Sequence, residues 1–154
     1  MNIRKLKLID YPVIDKCMQA LHKLHVNGRP DLYAPLEHPY SEREFAEIIC
    51  DKNRIAIGMT DEHDAVVGFC IATLRDKSGM VEGVKNIHIN DLFVLEEYRG
   101  RGIAKQLFSE LELWARAMGA ARLELTVWEF NAPAANLYRS LGMTPQRHIL
   151  EKML

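Results

Sequence analysis

The sequence predicts a mixed α/β fold of the α+β kind, in which helices flank both faces of a mixed, mostly antiparallel sheet. Some stretches alternate apolar and polar residues or run continuously apolar, as strands do, and others repeat apolar residues at helical spacing. The predicted order is β-α-α-β-β-β-α-β-α-β. With 154 residues, the chain is long enough for one core and too short for two comfortable ones. We therefore expect a single domain over residues 1–154.

The first half is predicted to hold a strand, two helices and a hairpin. Asp10 is a predicted N-cap, and Pro12 suits the first turn of a helix. Ser41 and Glu44 have the spacing of a capping box, which predicts the start of a second helix. The expected elements are a strand at 2–9, helices at 12–27 and 41–51, and hairpin strands at 54–60 and 65–74.

The second half is predicted to alternate strands and helices. Glycines at 79–83 predict a turn, and Gly119 and Gly142 are each placed to end a helix. The expected elements are strands at 85–94, 122–128 and 146–153, with helices at 103–118 and 131–141.

A glycine-containing turn between a strand and a helix is the most informative feature of the chain. Gly100 and Gly102 let backbone amides approach a ligand closely, and the helix that follows points free N–H groups at the same place. Arg99 and Arg101 add guanidinium groups that bind phosphate oxygens. The turn predicts a phosphate or pyrophosphate site, although any strand-to-helix turn can carry glycine. It lacks the Gly-Lys-Ser/Thr of a P-loop, and it does not follow the first strand of a dinucleotide-binding fold.

Two patterns, in this order along the chain, resemble the GCN5-related N-acetyltransferase (GNAT) family. The family's phosphate-binding pattern is (Arg or Gln)-x-x-Gly-x-(Gly or Ala), and its later pattern is Asn…Leu-Tyr…Gly. The residues that match are Arg99, Gly102 and Ala104 in the first pattern, and Asn131, Leu137, Tyr138 and Gly142 in the second. The resemblance is strong over residues 85–145 and weak over the N-terminal half, and it implies a GNAT-type sheet.

The resemblance implies acetyl-coenzyme A as co-substrate. Its pantetheine arm would lie along the backbone like an added strand, so the side chains there need not be polar. The pyrophosphate would bind backbone amides of the turn. The implied cofactor-binding residues are Leu92, Phe93, Val94, Arg99, Gly100, Arg101, Gly102, Ile103, Ala104, Lys105 and Asn131.

Acetyl transfer to an amine needs an unprotonated nucleophile, a polarised thioester carbonyl and a proton for the departing thiolate. The resemblance implies Tyr138 as the general acid and the backbone N–H near Val94 as the oxyanion donor. Asp91 is the first candidate for the base and Glu129 the second, although each can equally be a solvated carboxylate at a strand end. In the ribosomal-protein acetyltransferase branch a glutamate stands where this chain has Thr126. That departure argues against a peptide substrate.

The loop at 28–39 holds three prolines and cannot be a regular element. In the resembling family this connection lines the acceptor pocket, so Asp31, Tyr33 and Glu37 become candidates for substrate binding. The alternative is that apolar and aromatic side chains such as Tyr33 only pin the loop to the core.

Composition limits the partners. A formal charge of −1 leaves no basic excess for nucleic acid, and no apolar run is long enough to span a membrane. Three separated cysteines without a secretory segment favour the cytoplasm. His22 and His25 lack a third ligand, so no metal site is expected. A homodimer through the C-terminal strand edge is left open.

The sequence therefore predicts an acetyl-CoA-dependent N-acetyltransferase, in which a primary amine attacks the thioester directly. A small-molecule acceptor is favoured, and its identity is not predicted. Two alternatives remain: a module that binds or senses acetyl-CoA without turnover, and an enzyme that acetylates a protein or peptide.

Overall fold

The computed structural model describes residues 1–76 and 84–154. Its sheet has the strand order β1-β2-β3-β4-β5, antiparallel except for the parallel β4–β5 pair. The strands are β1 (Asn2–Lys5), β2 (Arg54–Thr60), β3 (Val66–Asp76), β4 (Lys85–Val94) and β5 (Arg122–Glu124). The helices are α1 (Tyr11–Gly28), α2 (Glu42–Cys50), α3 (Ile103–Ala117) and α4 (Ala132–Ser140). No helix in the described ranges is long and apolar enough to cross a membrane. The predicted mixed, mostly antiparallel fold is confirmed.

Helices cover both faces of the sheet, as predicted. On one face, α1 and α2 contribute Ile14 and Phe45, which pack with Phe69 of β3. On the other, Leu107 and Leu111 of α3 pack against β2, β3 and β4. These five side chains are almost inaccessible to water, so each face holds a core of its own. Burial of a large apolar side chain contributes roughly 1.5–3 kcal/mol.

The starts of the first two helices differ in how they are capped. The predicted capping box is confirmed: Ser41 Oγ accepts from the Glu44 amide at 3.2 Å, and the Ser41 amide donates to Glu44 at 2.8 Å. Asp10 is at the N-cap position of α1, as predicted, but its side chain makes no capping hydrogen bond. Its carboxylate instead accepts hydrogen bonds from Arg4 and from the Lys7 amide. Those bonds stabilise a single 3₁₀ turn at Leu8–Asp10, so the first strand ends at Lys5 rather than at residue 9.

The C-terminal predictions were only partly correct. Helix α4 begins after Asn131, whose side chain accepts from the Ala134 amide at 3.3 Å. Strand β5, predicted at 122–128, ends at Glu124, and no strand forms at 146–153. A strand needs a neighbour for its N–H and C=O groups, and residues 146–153 have none among the residues that the structure describes. The turn predicted at 79–83 lies outside the described residues.

A bulge in β4 decides which face of the sheet its later side chains occupy. Ile71 of β3 stands opposite Asp91, whereas the next residue, Ala72, stands opposite Ile89, which leaves Asn90 as one extra residue. Strand side chains alternate between faces, so one extra residue reverses the pattern. Ile89 packs in the α3-side core, and Asp91 lies beyond the bulge on the face of α1 and α2. The Thr73 hydroxyl donates to Asn90 Oδ1 at 2.7 Å and holds the extra residue.

Candidate active site

The edge of β4 that faces β5 is open along its C-terminal half. In the described part of the chain, the two strands meet only from Asn86 to His88, whereas on its other side β4 stays paired with β3 as far as Val94. Among the described strands, the β5-side edge from Ile89 to Val94 therefore has no neighbour. An extended ligand with amide groups can pair with such an edge as an added strand does. Leu92, Phe93 and Val94, predicted to pair in this way, lie on this segment.

The bend that follows β4 presents backbone amides. Gly100 and Gly102 have φ of 74° and 75°, a left-handed conformation that glycine adopts without strain. No atom lies within 4 Å of where a Cβ would stand at either residue, so the space in front of the bend is open. In the described ranges, the N–H groups from Gly100 to Lys105 donate to no other residue. With the N-terminus of α3, they are suited to binding an anion.

Both arginines of the bend stack on aromatic rings. The Arg99 guanidinium lies 5.7 Å from the centre of the Phe93 ring, and its Nε donates to the Val94 carbonyl at 3.1 Å. The Arg101 guanidinium lies 5.1 Å from the Tyr98 ring. Their charges are therefore held beside the amides of the bend, where they favour an anion.

Asp91 is a buried carboxylate on the part of β4 that is not paired with β5. It is 9% exposed, and the Tyr40 hydroxyl donates to its Oδ2 at 2.8 Å. Burial raises the pKa of Asp91 to about 6, while the Tyr40 hydrogen bond lowers that pKa. A carboxyl with a pKa near 6 is ionised above neutral pH and accepts a proton more readily than an ordinary aspartate.

In the described part of the chain, three hydrogen bonds tie residues 38–40, just before α2, to the rest of the protein. The Tyr11 hydroxyl donates to the Tyr40 carbonyl at 2.9 Å, and His38 Nδ1 lies 2.9 Å from Asp15 Oδ2. The third bond is the one from Tyr40 to Asp91. Because both ends of Tyr40 are fixed, its hydroxyl is held in place to orient the Asp91 carboxylate.

Tyr138 of α4 lies within electrostatic reach of this carboxylate. Burial first, and then the charges of Cys70 and Asp91, raise the pKa of Tyr138 to about 12. The hydroxyl is therefore protonated at neutral pH and available as a proton donor. The structure therefore places a protonated tyrosine near a buried carboxylate, on the strand that leads to the bend.

The model of the acetyltransferase (GNAT) family matches residues 18–143 of this chain. That match covers most of the sequence and includes Tyr40, Asp91, the bend and Tyr138. The chain belongs to the GNAT acetyltransferase family. The predicted family is therefore confirmed.

Named GNAT relatives match a shorter stretch. The bovine (Bos taurus) thialysine N-epsilon-acetyltransferase is 36% identical over 58 residues, which is 38% of this chain and 34% of that protein. The uncharacterized N-acetyltransferase YycN of Bacillus subtilis is 38% identical over 66 residues, 43% of this chain and 42% of its own length. The matched stretches thus span well under half of these relatives.

Solved GNAT-like structures match the whole chain. A mutant of the BH1408 protein from Bacillus halodurans superposes with a TM-score of 0.96 at 26% identity, covering 100% of this chain and 99% of its own. An aminoglycoside 6'-N-acetyltransferase from Acinetobacter haemolyticus has a TM-score of 0.74 at 16% identity, covering 100% and 98%. At 16% identity, the likeness to the aminoglycoside acetyltransferase shows only that the two proteins share a fold.

The three predicted acceptor residues lie in the loop between α1 and α2, but not in one group. In this GNAT chain, Tyr33 accepts from Trp128 Nε1 at 3.0 Å and stacks on His25 at a centroid distance of 5.3 Å. Asp31 is paired with Arg29 at 2.7 Å. Glu37 is exposed. The contacts of Tyr33 join the loop to the segment before α4 and to α1, not to either core.

The remaining predicted GNAT site residues lie around α4. Glu129, the second candidate base, is exposed in the turn closed by the hydrogen bond from the Asn131 amide to the Trp128 carbonyl. Asn131 caps α4. In the described ranges, no group of three or more acidic, histidine or cysteine side chains is placed to hold a metal ion.

Sequence reasoning missed Tyr40. It stands 51 residues from Asp91 in the chain, and a tyrosine before a capping box has no spacing that predicts a carboxylate partner. The bulge that turns Asp91 toward Tyr40 was equally unpredicted. Only the position at the end of the predicted acceptor loop, next to Ser41, could have drawn attention to this residue.

Proposed function

We propose that the chain transfers an acetyl group from acetyl-CoA to a primary amine of a small molecule. One observation carries this proposal: the Asp91 carboxylate, with its raised pKa, lies on the strand segment whose open edge leads to the free amides of the bend. The bend suits the pyrophosphate of the cofactor, and the open edge suits the amide-rich pantetheine arm. The residues present therefore fit acetyl-CoA.

Two side chains of this protein accept and donate the protons of the reaction. Asp91 accepts the proton that the amine loses as its nitrogen bonds to the thioester carbonyl carbon. As the carbon–sulfur bond breaks, Tyr138 donates its hydroxyl proton to the departing thiolate. The raised pKa of Tyr138 keeps that proton available at neutral pH. A hydrogen-bond donor at the carbonyl oxygen is also needed, and the backbone N–H near Val94 remains the predicted one.

An amine acceptor is also supported by the charge beside Tyr40. A surface cavity of about 430 Å³ is lined by Tyr40, Ile48, Arg54 and three carboxylates, Glu44, Glu47 and Asp51. Arg54 lies 3.3 Å from Asp51 and Arg43 lies 3.1 Å from Glu47, so part of the negative charge is already compensated. The remaining carboxylate, Glu44, favours a cation near the Tyr40–Asp91 pair. The bovine relative is named for thialysine, an amine of a small molecule.

Replacement of Tyr138 by phenylalanine tests the proton donor. We expect Tyr138→Phe to lower kcat at neutral pH by about tenfold to a hundredfold, because the thiolate then leaves without a positioned acid. Affinity for acetyl-CoA is expected to stay nearly unchanged, since the bend and the strand edge are intact. The measurement is thiol release from acetyl-CoA with a panel of small amines, together with calorimetric binding of the cofactor.

The same measurements separate an enzyme from a module that only binds acetyl-CoA. A binding module would release no thiol with any amine. Its affinity for acetyl-CoA would not change in Tyr138→Phe. That result would contradict the proposed transfer while leaving the phosphate site intact.

Replacement of Tyr40 by phenylalanine tests the orientation of Asp91. The Tyr40 hydrogen bond lowers the pKa of Asp91, so Tyr40→Phe is expected to raise that pKa. The rising limb of kcat/KM against pH then moves to higher pH, and activity falls several-fold more in mildly acidic than in alkaline buffer. Tyr11→Phe, which loses only the bond to the Tyr40 carbonyl, is the matched control. A pH profile that does not move in Tyr40→Phe would contradict the role given to this hydroxyl.

A further inference from the structure

Helix α4, which carries Tyr138, has little packing of its own. None of its nine side chains, all of them described, is buried, and none belongs to either core. In the described part of the chain, no backbone hydrogen bond joins residues 126–143 to any other residue. Leu141 and Met143, just beyond the helix, pack against the α3-side core. That contact fixes one end of α4, so the other end needs an anchor elsewhere.

Four aromatic side chains connect the segment before α4 to α1 and to the loop after it. His25 stacks on Tyr33 at a centroid distance of 5.3 Å, and Trp128 stacks on Phe130 at 6.1 Å. The two pairs meet at Tyr33 and Trp128, whose rings lie edge to face at 5.9 Å, a favoured geometry for aromatic pairs. Trp128 Nε1 also donates to the Tyr33 hydroxyl at 3.0 Å. We call these four side chains the aromatic clasp.

Phe130 lies directly against the end of α1. Its ring meets the His25 ring edge to face at 6.4 Å. Gly28 is the last residue of α1, and a Cβ at this position would overlap the Phe130 ring. The lack of a side chain at Gly28 therefore allows the ring to pack on the helix end.

The loop that carries Tyr33 is fixed to α1. His22 Nε2 lies 2.8 Å from the Ala34 carbonyl oxygen, and the His22 ring meets the Tyr33 ring edge to face at 6.0 Å. Helix α1 is in turn held on the sheet by Ile14, which is fully buried. The clasp thus has a firm support on its α1 side.

Arg29 covers one face of the Trp128 ring. Its guanidinium lies 5.2 Å from the ring centroid, where cation and ring attract each other. Nη2 of Arg29 donates to Asp31 at 2.7 Å and to Glu151 at 2.9 Å, which holds the guanidinium in place. Asp31, a predicted substrate-binding residue, is thus engaged in a contact that supports the clasp.

The clasp lies beyond the point where β4 and β5 separate. Among the described residues, the pairing on the β4 side runs only from Asn86 to His88, so the sheet does not fix the distance between Asp91 and α4. Only Asn131 stands between Phe130 and the first residue of α4. The clasp joins this point to α1, which lies on the same face of the sheet as Asp91. It therefore connects the helix of the proposed proton donor with the side of the sheet that carries the proposed acceptor.

We propose that the aromatic clasp positions Tyr138 for proton donation. It holds the start of α4 against α1, while the α3-side core holds the other end, so that the Tyr138 hydroxyl stays near the Asp91 carboxylate. Tyr33 and Trp128 are therefore positioning residues, which act through Tyr138 and not on the reacting atoms. This inference rests on the proposed function, because it takes Tyr138 as the proton donor.

A double-mutant cycle tests the positioning role. Trp128→Phe keeps a ring but removes the N–H that bonds to Tyr33. We expect kcat to fall about tenfold, because a displaced Tyr138 protonates the thiolate less well. The KM for the amine and the affinity for acetyl-CoA should stay nearly unchanged. In a Tyr138→Phe background the same substitution should not lower kcat further, since two changes that act through one hydroxyl are not additive. A second fall of similar size in that background would overturn the proposal.

Trp114→Phe is the matched control. Trp114, the other tryptophan of the chain, lies on α3 and packs against the α3-side core, so its replacement should leave kcat close to that of the parent. Tyr33→Phe removes the other partner of the hydrogen bond and should lower kcat as much as Trp128→Phe does. A rise in the KM for the amine without a fall in kcat would place Tyr33 in contact with the acceptor and would contradict the positioning role.

Hydrogen exchange followed by mass spectrometry tests the clasp without turnover. In Trp128→Phe, the amides of α4 should exchange about tenfold faster because the helix has lost an anchor, while those of α3 should not change. If the parent released no thiol with any amine, the proposed function would fail, but the exchange would still show whether the clasp holds α4. Unchanged exchange in α4, or faster exchange with kcat unaffected in an active enzyme, would refute the inference.

Discussion

The substitution Gly102→Asp is expected to weaken binding of coenzyme A about a hundredfold or more, a loss of roughly 2.7 kcal/mol. Gly102 directly precedes α3, and the space where a side chain would stand is open. Aspartate tolerates left-handed backbone better than most residues, so the fold should survive. Its carboxylate would lie at the amides proposed to bind the pyrophosphate and would repel that anion. Titration calorimetry with coenzyme A measures the loss.

Gly119→Asp is the matched control for this prediction. Gly119 has a φ of 70° and equally open space, but it follows the other end of α3. The substitution imposes similar backbone strain without placing a charge at the bend. We expect cofactor affinity close to that of the parent and a lower melting temperature, since a negative charge at a helix C-terminus is unfavourable. Tight binding by Gly102→Asp would show that the pyrophosphate does not use these amides.

The parts of the fold that were predicted correctly depend on local signals. The box formed by Ser41 and Glu44, and the cap at Asn131, each lie within one turn of the helix that they start. The strand at 146–153 failed for the opposite reason. Whether a strand forms there depends on a partner edge that no local pattern describes.

In the candidate site, too, features with local sequence signals were predictable and features that depend on distant residues were not. The glycine bend was predictable because the residues that shape it are consecutive and the helix follows directly. The environment of Asp91 was not predictable. It depends on one extra residue in β4 and on Tyr40, a residue of a different element and far away in sequence. A strand-end carboxylate and a buried proton acceptor look alike until the bulge and the tyrosine are known.

Asp91→Asn is expected to lower kcat about a hundredfold or more, because the amide cannot accept a proton from the amine. It keeps an oxygen for the Tyr40 hydroxyl and nearly the same volume, so the packing of β4 should be preserved. Glu129→Gln is the control, since it neutralises the exposed second candidate for the base. Steady-state rates with a reactive amine, measured across neutral pH, compare the two. Loss of activity in Glu129→Gln with retention in Asp91→Asn would reverse the assignment of the base.

The same substitution should stabilise the protein at neutral pH. The folded pKa of Asp91, about 6, lies above the ordinary value of 3.8, so between these values the folded state binds more protons than the unfolded state. The contribution of this group to the free energy of unfolding is therefore complete at lower pH and is lost as the pH rises through about 6. Asparagine does not ionise, so its contribution to the free energy of unfolding does not fall as the pH rises. Asp91→Asn should gain stability over the parent across this window, reaching on the order of 2 kcal/mol above it. Chemical denaturation at acidic and neutral pH measures the difference, and a constant difference between the two would show that Asp91 does not titrate with a raised pKa.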